Sequence, residues 1–255
     1  MADKAFSTIT WERRGPVAVC TLNRPDRRNG IIGPMMVELY DALKDAAADE
    51  SLRILLLTGA GRDFCPGADL KAFAAGEGGV TPQHTYELTT LLHDMPAVTI
   101  AAIRGACAGA GLGWAAACDL RIASDTARFN TAFLDVGMSG DMGGPWTLPR
   151  LVGAAKAREL YFLPGKFDAA EAYRIGLVNR MVPDDRFEAE VQGVIDTLAS
   201  KPAATLTTMK GNFLAAERMS LADYIPYESD RHARGAAGGG FAERSAAFVN
   251  KRSDA

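Results

Sequence analysis

The sequence predicts an α/β fold of repeated strand–turn–helix units, finished by a helical C-terminal region. Three observations carry this. Two apolar runs, Ile54-Leu55-Leu56-Leu57 and Ala97-Val98-Thr99-Ile100-Ala101-Ala102-Ile103, have the length and composition of buried strands. Each leads into a turn of small residues, over 63–70 and 105–119. The second turn ends in Trp114-Ala115-Ala116-Ala117, which favours helix because alanine loses no side-chain entropy. The last quarter shows helical patterns with no strands between them.

In chain order, residues 6–11 and 17–22 are β-like runs, and Gly15-Pro16 in the intervening Glu12-Arg13-Arg14-Gly15-Pro16 marks a hairpin turn. Residues 23–29 form a loop by composition, with Arg27 and Arg28 as adjacent cations. Residues 35–48 read as a helix with Met36, Leu39, Tyr40 and Leu43 on one face. A strand over 53–58 leads to the first small-residue turn. Residues 71–82, with Gly76, Gly78, Gly79 and Pro82, read as a loose segment covering a pocket, and 84–93 as a short helix. Strand resumes over 119–123, with Asp119 tying the preceding turn down. In 127–146 the glycines and Pro145 lead from loop into a helix that breaks at Gly153. Residues 168–175 are a helix with Asp168 as its N-cap, 176–183 return as strand, and 184–200 form an amphipathic helix ended by Lys201-Pro202. Residues 203–217, 221–234 and 241–251 are helical patterns, with Gly238-Gly239-Gly240 a flexible joint. The expected organisation is a core over 1–200 and a helical region over 201–255.

Composition narrows the function. The chain has 255 residues, 48% hydrophobic and 23% charged, ordinary for a soluble globular protein with one substantial core. A formal net charge of −3 gives no basic field to attract nucleic acid or anionic membrane. The first ten residues lack a signal-peptide core, and the most apolar region is interrupted by Pro96 and Arg104. Cys20, Cys65, Cys107 and Cys118 form no C-x-x-C pair and read as buried thiols in a reducing compartment, the cytoplasm. Three histidines without ligand spacing argue against a metal site.

The two small-residue turns carry the chemistry. The first N–H groups of a helix have no internal partner and lie at its positive end, so they hold developing negative charge. One such turn by itself reads as a tight turn packing a helix on a sheet, but two of them, each after an apolar strand, can aim one backbone N–H apiece at a shared oxygen. Phe64-Cys65-Pro66-Gly67-Ala68-Asp69-Leu70 together with residues 105–119 resembles the enoyl-CoA hydratase/isomerase family, the crotonases, and the resemblance covers nearly the whole chain. It implies a ββα superhelix whose C-terminal helices pack subunits into a homotrimer or a pair of trimers. It implies an oxyanion hole for an acyl-CoA thioester, made by the backbone N–H groups of Ala68 and Ala110, where alanine replaces a frequent glycine without removing the donor. Arg27 and Arg28 match the family's CoA channel. Cys65, Gly67, Asp69, Leu70, Gly109, Phe133 and Trp146 are expected to line the substrate site, with Leu112 and Trp114 among the walls. No tightly bound cofactor is expected, coenzyme A being part of the substrate.

The reaction depends on which acid or base stands over the enolate. The two glutamates that hold water in this family's hydratases fall here on Gly113 and Phe133, which cannot accept a proton. Asp141, in Gly137-Met138-Ser139-Gly140-Asp141-Met142-Gly143-Gly144, stands where several isomerases of the family carry an aspartate and where related dehalogenases carry a nucleophilic one. The expectation is an enoyl-CoA isomerase with Asp141 as proton shuttle. Other crotonase reactions (hydration, dehalogenation, hydrolysis) and non-catalytic acyl-CoA binding are the alternatives. Asp135 is the nearest competing carboxylate and reads as structural, in a strand-like alternation. Asp69 reads as a structural acceptor as well as a site residue, and His84 and Tyr86 as candidate pocket side chains.

Overall fold

Residues 54–57 are apolar without a break because their strand is buried on both faces. This strand, β3 (Ile54–Gly59), sits inside a sheet with β1 (Ile9–Arg14), β2 (Val17–Leu22), β4 (Val98–Ile103), β6 (Leu120–Ser124) and β9 (Arg180–Val182). The order is β1-β2-β3-β4-β6-β9, with β1 antiparallel to β2 and all later pairs parallel. Side chains alternate between two cores. Ala18, Cys20, Leu22, Leu55, Leu57, Ala101, Ile103 and Ala123 enter the larger one. Val17, Ile54, Leu56, Ile100, Ala102 and Ile122 enter the smaller one. The computed structural model describes residues 5–237 together with 240, 241, 243–246 and 249. It divides into two units, Met1–Ser200 and Lys201–Ala255.

Helices cover the larger core from one side: α1 (Gly33–Ala47), α3 (Leu88–Asp94) and α4 (Ala110–Ala117). The apolar face of α1 is Met35, Met36, Leu39, Ala42, Leu43 and Ala46, with Tyr40 at its margin. On the other side α8 (Phe187–Ala199) closes the smaller core with Phe187, Val191, Val194 and Ile195. A second sheet, β5 (Ala106–Ala108), β7 (Arg128–Asn130) and β8 (Phe167–Asp168), runs in that order beside the turns. The short helices α2 (Leu70–Ala74), α5 (Gly144–Val152), α6 (Ala154–Phe162) and α7 (Ala169–Arg174) complete this unit. In the other unit α9 (Ala203–Ala216) packs with α10 (Leu221–Ala237), and Arg231 Nη2 donates to Thr208 O at 3.2 Å. Among the described residues no helix is long and apolar enough to cross a membrane.

Several expectations shift. The first strand lies at 9–14, not 6–11, so Glu12, Arg13 and Arg14 are strand residues and the turn is Gly15-Pro16 alone. This is the sheet edge, where charges are tolerated and discourage further pairing. The segment expected to be loose over 71–82 begins as α2, because the Asp69 side chain accepts from Ala72 N and caps it. The helix expected over 84–93 is a 3-10 turn, Gln83–Glu87, followed by α3. Asp135 lies in a 3-10 turn, Leu134–Val136, and not in a strand-like alternation. α6 and the three-stranded sheet have no counterpart in the sequence reading. Asp168 is the N-cap of α7, accepting from Glu171 N at 2.9 Å. Of the helix expected over 241–251, the described residues 241, 243–246 and 249 are helical; the rest lies outside the described residues, as do Gly238 and Gly239 of the expected joint.

Candidate active site

The site is built from two turns in register. Cys65 and Cys107 form a parallel bridge, in which Cys65 N donates to Ala106 O at 2.8 Å and Ala108 N donates to Cys65 O at 2.9 Å. Two residues on, Gly67 and Gly109 touch. A Cβ on Gly67 would stand 3.1 Å from Ala108 O and 3.6 Å from Gly109 Cα. Both glycines have positive φ, +96° and +52°, which a side chain would strain. One residue further stand Ala68 and Ala110, the expected donors.

Each donor is left open for a physical reason. Gly67 O accepts from Ile31 N, and Asp69 N donates to Ile31 O, both at 2.9 Å. Alternation along an extended chain then turns the Ala68 N–H to the opposite side. Ala110 is the first residue of α4, where a backbone N–H has no partner within the helix. Among the described residues neither N–H has a backbone acceptor. Ala68 is exposed and Ala110 buried, so the pair stands at the boundary of the core.

A polar clasp fixes the first turn. Asp63 is buried; its carboxylate accepts from Ala106 N at 2.7 Å and from Arg28 Nε at 2.8 Å, with Arg62 Nε at 3.2 Å. Burial alone would raise this carboxyl, but the hydrogen bonds from Arg28 and Ala106, with the charges of Arg28 and Arg62, hold it below the usual range. Buried Asn29 donates to Ala60 O and Asp63 O and accepts from Arg24 N. Arg24 donates to Gly30 O and pairs with Asp69 at 3.0 Å. Arg28, expected along the CoA channel, is held by Asp63 while half of its side chain stays exposed. Arg27 is exposed. Burial would raise the Asp69 carboxyl, but the bonds from Ala72 N–H and Arg24, with the charges of Arg24 and Arg27, lower it. Reading the loop by its charges alone could not reveal the roles of Asn29 and Asp63, because the bonds from Asn29 to Ala60 and Asp63 and from Arg28 to Asp63 join residues 31 to 35 apart in the chain.

The opposite wall comes from the glycine-bordered loop before α5. A Cβ on Gly113 would stand 2.6 Å from Met142 Cβ, so Met142 fills the space beside α4 one turn after Ala110. Asp141 precedes it, half-buried, with Oδ1 buried and without a hydrogen-bond partner. Loss of water around it raises its carboxyl above the ordinary range. The Phe133 ring lies 3.9 Å from where a Cβ on Gly109 would stand and 3.7 Å from the same point on Gly140. It thus links the second turn to the Asp141 loop. Phe133 also stacks on Tyr161 of α6, with ring planes 7° apart and centroids at 6.3 Å. Tyr161 is a site residue that sequence reasoning missed, since its helix was not recognised.

The remaining expected residues divide. Trp146 is exposed on α5, its ring held edge-on by His93 at 5.1 Å and covered by the Arg150 guanidinium at 3.8 Å. Leu70 is 56% exposed at the start of α2, beside Ala68. Cys65 and Leu112 are buried, and burial pushes the Cys65 thiol up to about 12. Trp114 is fully buried in the core and lines nothing open. Asp119 accepts from Thr99 N at 2.7 Å, the expected structural tie. Asp135, His84 and Tyr86 are exposed, and the His84 ring meets Tyr40 edge-on at 4.9 Å.

Known proteins match this chain over almost its full length. A family model described as enoyl-CoA hydratase/isomerase matches residues 12–254. The 1,2-epoxyphenylacetyl-CoA isomerase of Escherichia coli K12 is 34% identical over 244 residues, 93% of each chain. A candidate enoyl-CoA hydratase of Rhodobacter capsulatus is 36% identical over 97% of each chain. Among solved structures, a candidate enoyl-CoA hydratase of Thermobifida fusca, crystallised with CoA, superposes with a TM-score of 0.84 at 34% identity, covering 90% of this chain and 93% of that one. One from Streptomyces coelicolor gives a TM-score of 0.90 at 31% identity, covering 98% and 94%.

Proposed function

This chain belongs to the enoyl-CoA hydratase/isomerase family, and from that premise we propose that it is an enoyl-CoA isomerase that shifts a double bond in an acyl-CoA thioester, with Asp141 as proton shuttle. The thioester oxygen accepts from Ala68 N–H and Ala110 N–H. Ionised Asp141 takes a proton from C2 of a 3-enoyl thioester. The C–H electron pair moves into the conjugated system, and the charge settles on the oxygen between the two donors. Asp141 then returns the proton to C4, leaving the double bond between C2 and C3. No group leaves and no water is consumed, so one carboxyl suffices. Each oxyanion donor is worth about a hundred- to a thousandfold in rate.

The observation that carries this reading is the packing of Met142 against Gly113. The loop that brings Asp141 in occupies the volume that a side chain at position 113 would need. The second position matched to a hydratase glutamate holds the Phe133 ring, which is stacked in place. Neither position matched to a hydratase glutamate carries a carboxyl, which supports a reading in which Asp141 acts alone. The name of the Escherichia coli relative, an isomerase acting on a CoA thioester, agrees with this choice.

In the same reading Leu70, Phe133 and Trp146 line the acyl group, with Cys65, Gly67, Asp69 and Gly109 shaping the turns around it. Coenzyme A enters as part of the substrate, past the exposed Arg27, while Arg28 holds the channel loop through Asp63. The unit Lys201–Ala255 joins copies into a trimer or a pair of trimers.

The test is product identity. Incubation with 3-enoyl-CoA thioesters is expected to yield the conjugated 2-enoyl thioester, with no 3-hydroxyacyl product and no free CoA. Release of CoA, or a covalent acyl group on Asp141, would replace isomerisation by nucleophilic chemistry. Tight thioester binding without any product would make the protein a binder.

A further inference from the structure

One phenol braces the whole loop that presents Asp141. Tyr161 Cε1 lies 3.4 Å from where a Cβ on Gly140 would stand, and its hydroxyl 1.8 Å from where one on Gly144 would stand. The ring thus reaches from one end of the Gly140–Gly144 segment to the other. A side chain at Gly144 would displace the hydroxyl, which occupies its side-chain position. The stack on Phe133, with planes 7° apart, keeps the ring in this orientation.

Asp141 needs such a neighbour. Its Oδ1 is buried without a hydrogen-bond partner, and an ionised carboxylate kept from water is costly unless a donor reaches it. The groups on the surrounding elements are mostly committed elsewhere. The segment α4 carries no titratable side chain. On α5, Arg150 lies over the Trp146 ring. On α6, Lys156 and Glu159 pair at 2.8 Å, and Arg158 is exposed. From α3, Thr89 donates to Met142 Sδ, and His93 meets Trp146 and lies 3.9 Å from Asp94. In the preceding turn Asp135 is exposed.

We propose that Tyr161 is a positioning residue for Asp141: its ring fixes the Gly140–Gly144 loop, and its hydroxyl donates to the carboxylate when Asp141 is ionised. This rests on the reading of Asp141 as the base. Burial, with the Asp141 charge nearby, pushes the Tyr161 hydroxyl up to about 12, so it keeps its proton and stays a donor at neutral pH.

The experiment is the pH profile of kcat/KM for proton exchange at C2 of an acyl-CoA, in wild type and Tyr161→Phe. The phenylalanine keeps the stack and removes the donor. Loss of a hydrogen bond to the charged form raises a carboxyl pKa. The acidic limb is expected to move up by about one pH unit, with a plateau less than about tenfold lower and KM little changed. A limb that stays at its wild-type position, whatever the plateau, overturns the proposal, because a purely structural ring would behave that way. If the variant is too slow for a profile, direct titration of the Asp141 side-chain carbonyl by 13C NMR reads the same shift. Asp141→Asn separates the two claims. Exchange surviving in that variant removes the base assignment itself, whereas exchange lost there with an unmoved Tyr161→Phe limb removes only the role of Tyr161.

Discussion

A carboxyl kept from water trades stability for chemistry, and Asp141 makes that trade visible. Its native pKa is raised by desolvation, so the unfolded chain releases the proton first. Stability is lost as pH rises from the ordinary carboxylate range through the native value, and the loss persists above it. Asp141→Asn is therefore expected to melt higher than wild type at neutral pH, with the difference fading on acidification, while C2 exchange falls about 10²- to 10⁴-fold. Thermal melts across pH, beside exchange rates, check both parts; a variant that melts lower at neutral pH contradicts the first. Asp63 has the opposite sign. Its carboxyl is held low, so its contribution is present at neutral pH and is lost as pH falls through the native value. At this scale the sequence was partly readable. Asp141 announced itself as an acid in a glycine-bordered loop. Arg28 did not announce its commitment, because its partner Asp63 is 35 residues away.

The two turns work as one element because Cys65 and Cys107 set their register. This permits a clean deletion of one donor. Proline is well tolerated at the first position of a helix and has no N–H. Ala110→Pro is thus expected to fold and to lose about 10²- to 10³-fold in kcat. Circular dichroism and steady-state rates together check this, and a folded variant with full activity would remove Ala110 from the oxyanion hole. Asp63→Ala leaves Ala106 N–H unpaired and frees Arg28; a loss of about 1–3 kcal/mol in denaturant unfolding is expected. Strands β3 and β4 were legible as unbroken apolar runs, since both faces are buried. β5, β7 and β8 were not, because two or three residues carry no periodicity. β1 slipped by three residues because an edge strand can be built of charged residues as well as apolar ones. The miss on α6 cost most, since Tyr161 rides on it.

For the whole molecule, the superposition on solved relatives makes this the crotonase-like α/β fold, with helices at its C-terminal end. That much followed from two spaced turns and the resemblance they carry. Assembly is less legible, since a helix face that meets a second copy and one that meets solvent differ only in degree of apolarity. In the unit Lys201–Ala255, Phe213 and Leu221 stand 70% and 76% exposed. Apolar groups so placed are candidates for burial between copies. Phe213→Glu with Leu221→Glu is expected to lower the mass in solution, read by sedimentation, toward that of a single 27.1 kDa chain. An unchanged mass would contradict the proposal that this unit joins copies of the chain.

The central claim is that Asp141 moves the C2 proton of a thioester whose oxygen rests on Ala68 and Ala110. The most direct measurement is deuterium incorporation at C2 of saturated and 3-unsaturated acyl-CoA thioesters in D₂O, with wild type and Asp141→Asn side by side. The account predicts incorporation by wild type and its loss in the variant. Equal incorporation by both, or none by a wild type that binds the thioester tightly, would contradict it.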